Sequence, residues 1–137
     1  MTSAPATPTY ALTTIVDQPY DQTLTATRAA LAEQGFGVLT EIDLAATLKA
    51  KLDADIAPQV ILGACRPPLA YAAVQAEPSI GLLLPCNVVV RALDETHTSV
   101  EAMDPAIMLT LTGNDALTEV AADASTRLTA ALHSLHT

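Results

Sequence analysis

The order of strand-like and helix-like segments restricts the fold of this chain more than any single motif does. In the first half, short runs of apolar and β-branched residues alternate with segments of helical spacing. In the second half, residues 87–93 and 98–103 are both strand-like, and no helical pattern separates them. A parallel sheet would need a helix between successive strands, so this order predicts an α+β fold. We expect a single two-layer domain, with helices packed on one face of a mixed, largely antiparallel sheet.

The predicted strands are bounded by turn residues. They cover residues 10–16, 36–42, 59–64 and 98–103, with residues 81–84 and 87–93 forming one interrupted strand or two joined ones. The segment 59–64 is almost entirely apolar, which predicts a central strand.

Helix boundaries are predicted from capping residues and prolines. Asp21 is a candidate N-cap for the first helix, which Gly35 ends, and Asp43 is a candidate N-cap for the second. Pro67 and Pro68 suit the first turn of a third helix that ends before Pro78. A last helix follows Asn114 and Asp115 and runs from 116 to about 135, and Asp104 is read as a helix cap before Pro105.

Composition excludes several classes of function. The 137 residues include six Lys and Arg against fifteen Asp and Glu, a formal net charge of −9, which repels phosphate backbones and anionic lipids. We therefore expect no nucleic-acid partner. No apolar stretch approaches the length of about 18 residues that spans a bilayer, so we expect no membrane insertion. Residues 1–9 read as a flexible tail rather than a secretory signal, which places a single domain at 10–137 and the protein in the cytoplasm.

Two apolar blocks, each containing one cysteine, carry a resemblance to a known family. Residues 60–70 read VILGACRPPLA, and residues 80–90 read IGLLLPCNVVV. Together with residues 41–44 and 100–105, these blocks resemble the DUF302 family over about residues 13–135. The resemblance implies a compact α+β fold that assembles as a dimer, and it implies no activity. One position departs from the family pattern, in which Asn is more frequent where this chain has Arg66.

Cys65 stands at the end of an apolar strand, just before a helix begins. Unpaired N–H groups, the helix dipole and the guanidinium of Arg66 would together lower the pKa of its thiol and favour a nucleophilic or metal-binding thiolate. The alternative interpretation is a small buried hydrophobe at a tight turn.

Cys86 follows Cys65 by 21 residues and would approach it only if their two strands are neighbours. Such a pair of thiols could bind a soft ion such as Cu(I) or ligate the iron of a cofactor. No CxxC motif occurs, so neither a zinc ribbon nor a thioredoxin-type motif is indicated. The candidate ligand-binding residues are Cys65, Arg66, Cys86 and Asn87, and the candidate metal ligands are Cys65 and Cys86.

Three functions remain open from the sequence. The first is a non-enzymatic module that binds a small ligand, a cofactor or a soft metal near Cys65. The second is a homo-oligomeric interaction protein with structural cysteines, and the third is a thiol redox protein. His97 lies in a polar turn, and His133 and His136 share a helix face without further ligands. No His, Asp or Glu is placed to complete a catalytic set, which favours a non-enzymatic protein.

Overall fold

Five β-strands and five α-helices account for most of residues 7–136, which are the residues that the computed structural model describes. The strands are β1 (Ala11–Val16), β2 (Gly37–Asp43), β3 (Gln59–Cys65), β4 (Cys86–Ala92) and β5 (Thr98–Met103). The helices are α1 (Tyr20–Glu33), α2 (Leu44–Leu52), α3 (Pro67–Ala76), α4 (Ala106–Thr112) and α5 (Thr118–Ser134). Two short 3-10 helices, Pro78–Leu83 and Asp115–Leu117, precede β4 and α5.

The strands form one open sheet in the order β1-β5-β4-β3-β2. All four strand pairings within the described residues are antiparallel, which confirms the α+β prediction and leaves no parallel pair in the sheet. Strand β3, predicted to be central, lies inside the sheet beside the edge strand β2, and β4 occupies the middle. Because β3 and β4 are neighbours, Ala64 lies opposite Cys86 in the register.

One face of the sheet packs against α1 and α5 to form the main core. Alternate residues of the strands point into it, and α1 and α5 each contribute one stripe of small and aliphatic side chains. The buried members of this main core are Val16, Ala30, Leu31, Phe36, Val60, Leu62, Ala64, Cys86, Val88, Val90, Val100, Ala102, Leu128, Ala131, Leu132 and Leu135. None of the helices within residues 7–136 is long and apolar enough to cross a membrane.

A second, smaller core lies beside the sheet. It joins α3, the 3-10 helix Pro78–Leu83, α4 and the start of α5. Its buried members are Ala73, Ile80, Met108, Leu117, Val120 and Ala121. Asn114 ties this region together, because its side-chain amide donates to the carbonyl oxygen of Ala76 at the end of α3, 2.8 Å away.

The prediction of a strand at residues 81–84 is wrong. Those residues belong to the 3-10 helix Pro78–Leu83 and the turn that follows it, and β4 begins only at Cys86. Proline at the first position suits a helical turn, and a short apolar run does not by itself distinguish a strand from a helix. The turn buries Ile80 in the second core and leaves Leu82 89% exposed.

The helix starts agree with the sequence analysis in part. The carboxylate of Asp43 accepts a hydrogen bond from the Ala46 N–H at 2.9 Å and caps α2 as predicted. Asp21 is not the N-cap of α1: the helix begins after Pro19, and Asp21 lies in its first turn. The Pro19 carbonyl accepts from both the N–H and the hydroxyl of buried Thr23, which fixes this earlier start.

The expected tail falls largely on residues 1–6, which lie outside the described residues. Near the beginning of β1, the carbonyl oxygen of Tyr10 accepts a hydrogen bond from the Asp104 N–H at 2.8 Å. The N-cap of α4 is Pro105 rather than Asp104, whose carboxylate accepts from the Ala106 N–H at 3.0 Å.

Candidate functional site

Both cysteines line one small cavity where β3 ends and α3 begins. The cavity has a volume of about 30 Å³ and a lining that is almost entirely apolar. The antiparallel pairing of β3 with β4 brings the two cysteines to the same end of the sheet, because Ala64 is opposite Cys86 and Cys65 is the next residue, and both line the cavity there. The residues of this cysteine cavity are Phe36, Ala64, Cys65, Arg66, Leu69, Ala70, Ala73, Leu84, Cys86, Met108, Val120 and Ala124.

The two thiols differ in their access to solvent. Cys65 is half-buried, whereas Cys86 is only 6% exposed. Burial, and to a smaller extent the neighbouring Cys65, raises the pKa of the Cys86 thiol above its ordinary value. A reagent or ion from solvent therefore reaches Cys65 first, and Cys86 forms the inner wall of the cavity.

The start of α3 does not offer the free N–H groups that the sequence analysis expected near Cys65. Pro67 and Pro68 carry no N–H, and the N–H groups of Leu69 and Ala70 both donate to the Arg66 carbonyl oxygen at 3.0 Å. The expected stabilisation of a thiolate by unpaired backbone donors is thus wrong for this helix.

Arg66 is half-buried in the wall of the cysteine cavity, and its side chain lies against Gly35. A Cβ atom on Gly35 would be 3.0 Å from Arg66 Nε, closer than ordinary contact, and the backbone there has a φ of +84°, a conformation that favours glycine. Arg66 Nε is fully buried and has no hydrogen-bond partner among the described residues.

Gly63 allows the segment before Cys86 to pack closely on β3. A Cβ atom at Gly63 would lie 2.1 Å from the Thr40 hydroxyl and 2.7 Å from Cγ of Pro85, distances that no real side chain tolerates. The Leu84–Pro85 peptide is cis. The short distance between Pro85 and Gly63 shows that the proline ring packs on the backbone of β3, one residue before β4 begins at Cys86.

Three of the four predicted site residues meet at the cavity, and one does not. Cys65, Arg66 and Cys86 line it, whereas Asn87 is exposed and borders a separate groove beside Val89 and Met103. Successive residues of a strand point to opposite faces, so Asn87 turns away from the side that buries Cys86 and Val88. Asn87 therefore lies outside the cavity although it is the next residue after Cys86.

Met108 is a residue of the site that the sequence analysis missed. It is 2% exposed and brings a third sulfur atom to the lining of the cavity. It lies 22 residues beyond Cys86, in the short helix α4, where nothing in the local pattern separates it from other apolar residues.

The three histidines do not line the cysteine cavity. His136 bonds to the hydroxyl of Thr14, and His97 lies between the carboxylates of Asp94 and Asp17, at 2.9 and 3.3 Å. Within residues 7–136, no group of three or more His, Cys, Asp and Glu side chains is arranged to hold a metal ion. Any metal bound in the cysteine cavity would therefore have the two thiols as its main ligands.

Comparison with known proteins agrees with this fold and with the earlier resemblance. The model of the family described as domain of unknown function DUF302 matches residues 12–135. The chain belongs to the DUF302 family. This DUF302 chain is also similar to the crystal structure of an uncharacterized conserved DUF302 protein from Bacillus stearothermophilus. The two share 29% sequence identity with a TM-score of 0.86, over 94% of this chain and 100% of that one. No curated protein matches the sequence.

Proposed function

We propose that this DUF302 protein is a non-enzymatic binding module that holds one soft metal ion between the thiols of Cys65 and Cys86. The observation that carries the proposal is that both cysteines line the same small apolar cavity. Thiolates are the side-chain ligands preferred by soft ions such as Cu(I). Half-buried Cys65 supplies an entry path, and buried Cys86 supplies the inner ligand.

The size of the cavity favours a single ion over an organic ligand. Its volume of about 30 Å³ exceeds the 10–15 Å³ or so that one water molecule needs. It is far below the roughly 300 Å³ at which pockets for organic ligands begin. A cofactor of that size would have to displace α3, which contributes Leu69, Ala70 and Ala73 to the lining.

A thiol redox function has weaker support. Exchange requires a thiolate at neutral pH, and burial raises the pKa of Cys86, which lowers its thiolate fraction. No His, Asp or Glu lines the cavity to act as a base. If oxidised glutathione converted the two thiols to a disulfide as quickly as it oxidises an activated pair, the redox function would replace metal binding.

Acidity and reduced thiols support a cytoplasmic protein without nucleic-acid partners. Of the six Lys and Arg, Arg28, Lys49, Arg91 and Arg127 are paired with carboxylates in the described part of the chain, so no basic patch is free for phosphates. A reducing compartment would keep both thiols available as ligands.

A homodimer is the second candidate, and exposed apolar side chains on α3, the 3-10 helix that follows it and α4 favour it. Helix α3 has no charged residue, and the side chains of Tyr71 and Val74 on it are 67% and 46% exposed. Leu82 in the adjoining 3-10 helix is 89% exposed and Leu111 on α4 is 64% exposed. A second copy of the chain would remove this apolar surface from water.

Two leucines offer a matched test of the dimer. Leu82→Glu would place a charge in that interface, whereas Leu52→Glu changes a leucine of α2 that is 71% exposed. We expect native mass spectrometry to show a dimer for the wild type and Leu52→Glu and a monomer for Leu82→Glu. A wild-type monomer, or equal effects of both variants, would contradict this candidate.

Metal binding is tested by titrating reduced protein with Cu(I) against a chromogenic Cu(I) chelator. We expect one ion per chain, with binding at least about 100-fold weaker in Cys65→Ser and Cys86→Ser. Ala102→Ser is the control, since it also places a hydroxyl at a buried strand position of the main core but outside the cavity. Wild-type protein that takes up no ion, or Cys→Ser variants that bind as the wild type does, would overturn the proposal.

A further inference from the structure

Within residues 7–136, Arg66 is the half-buried cation for which no carboxylate partner is found. Four other basic residues form ion pairs in the described part of the chain, and Lys51, for which no pair is found there, is exposed to solvent. Arg66 instead lines an apolar cavity whose other side chains carry no formal charge apart from the two thiols when they ionise. Its Nε is fully buried and has no hydrogen-bond partner among residues 7–136.

The burial of Arg66 Nε without a hydrogen-bond partner among the described residues needs a physical explanation. Buried polar atoms nearly always have partners, because leaving a donor unsatisfied costs about 1–3 kcal/mol, and more when the group is charged. With fifteen Asp and Glu in the sequence, a carboxylate partner could readily have been supplied. An arginine whose Nε has no partner among the described residues, in the wall of a cavity that two thiols also line, is suited to an occupant that carries negative charge.

We propose that Arg66 makes the cysteine cavity selective for a monovalent soft cation, Cu(I), over divalent ions such as Zn(II). This inference rests on the metal-binding function proposed above. Two thiolates and a monovalent ion form a complex with a net charge of −1, which the guanidinium neutralises. A divalent ion would leave one positive charge in an apolar cavity, and an uncompensated buried charge is strongly unfavourable.

The number of available ligands also favours Cu(I) over Zn(II). Zinc in structural sites takes four protein ligands, and the cavity offers two thiols with no His, Asp or Glu in the lining. The thioether of Met108 is a soft sulfur ligand of the kind that Cu(I) accepts and Zn(II) seldom uses. The site is therefore poor for Zn(II) in both charge and coordination.

Binding must also remove the thiol protons. Each Cys loses one proton to solvent when its sulfur bonds to the ion, so affinity rises with pH.

The test compares Cu(I) and Zn(II) affinities in the wild type, Arg66→Gln and Arg66→Lys, with folding checked by circular dichroism. We expect Arg66→Gln to weaken Cu(I) binding by about tenfold or more and to leave Zn(II) binding unchanged or stronger. Arg66→Lys keeps the charge and should retain most of the preference. If Arg66→Gln does not fold, Arg66→Met, which keeps the length and loses the charge, takes its place.

Met108→Leu tests the third sulfur, with Met103→Leu as the matched control outside the cavity. We expect a weaker Cu(I) affinity only for Met108→Leu and no change in Zn(II) affinity for either variant.

The outcomes separate the two proposals. Wild-type protein that binds neither ion overturns both the metal-binding function and the role of Arg66. Cysteine-dependent binding with the same Cu(I) to Zn(II) ratio in the wild type and Arg66→Gln overturns the role of Arg66 alone. A wild type that prefers Zn(II) also overturns it.

Discussion

The main core and the second core are built in different ways, and the cysteine cavity lies where they meet. The main core has 16 buried residues from the sheet, α1 and α5, whereas the second has six from short helical segments and the start of α5. The cavity takes Phe36, Ala64 and Cys86 from the first and Ala73, Met108 and Val120 from the second. Space for a ligand thus remains at the junction of a well-packed sheet and a thin helical layer.

The largest expected effect tests whether the main core carries most of the stability. Leu62 and Leu117 are both fully buried, one in each core. We expect Leu62→Ala to lower the free energy of unfolding by about 4–5 kcal/mol and Leu117→Ala by about 2–3 kcal/mol, because a smaller core collapses more easily around a cavity. Urea denaturation measures both, and equal losses would show that the two cores are not different in this respect.

The substitution Gly63→Ala tests the close packing of Pro85 on β3. Gly63→Ala should destabilise the protein by about 1–3 kcal/mol, because the new methyl group overlaps the Thr40 hydroxyl and the Pro85 ring. Gly81→Ala is the control, since no atom lies within 4 Å of the added Cβ. Thermal unfolding compares the two variants, and a Gly63→Ala protein as stable as Gly81→Ala would refute the close packing.

Substitutions at the two glycines with positive φ distinguish the effect of backbone strain from the effect of the contact with Arg66. Gly35 and Gly113 both end helices, at φ values of +84° and +62°, but only Gly35 has Arg66 against it. We expect each Gly→Ala change to cost about 1–2 kcal/mol from the left-handed conformation. Gly35→Ala alone should also change the Cu(I) affinity, since its methyl group displaces Arg66. An unchanged affinity in Gly35→Ala would argue against the described position of the guanidinium.

The smallest effect concerns His97, at the turn between β4 and β5, far from the cavity. Hydrogen bonding to Asp94, then the charges of Asp94 and Asp17, raises the pKa of His97 above its ordinary value of 6.5. The folded state therefore holds the proton more tightly than the unfolded state. The resulting stabilisation is complete below pH 6.5 and is lost as the pH rises through the folded pKa.

His97→Gln removes this dependence. We expect the melting temperature of the wild type to fall relative to that of the variant between about pH 5.5 and about pH 8. Asp94 does not mask the change. Hydrogen bonds from Thr96 and His97 lower the pKa of Asp94 below its ordinary value of 3.8, so its carboxylate takes up a proton only at more acidic pH. A difference that is constant over this range, or an NMR titration of His97 with no upward shift, would contradict the ion pairs.

Much of the fold could be predicted from the sequence, and its errors have local causes. The strand at 98–103 has the predicted bounds, and Asp43 caps α2 as expected. The segment 81–84 was assigned to a strand because apolar content alone does not distinguish a strand from a turn that buries one residue, here Ile80. Of the predicted site residues, Cys65, Arg66 and Cys86 line the cavity and Asn87 does not, whereas Met108 lines it without a signal in the sequence.

What the sequence determined by itself is local: the alternation of the strands, the helix starts at Asp43 and Pro67, and the α+β class that follows from their order. Those signals arise between residues only a few positions apart. The tertiary structure alone decided that Cys86 and Cys65 line one cavity, because the pairing of β3 with β4 brings them to the same end of the sheet. It also decided that Met108 reaches the cavity and that Arg66 has no carboxylate partner among the described residues. These are relations between distant residues, and packing of the whole chain creates them.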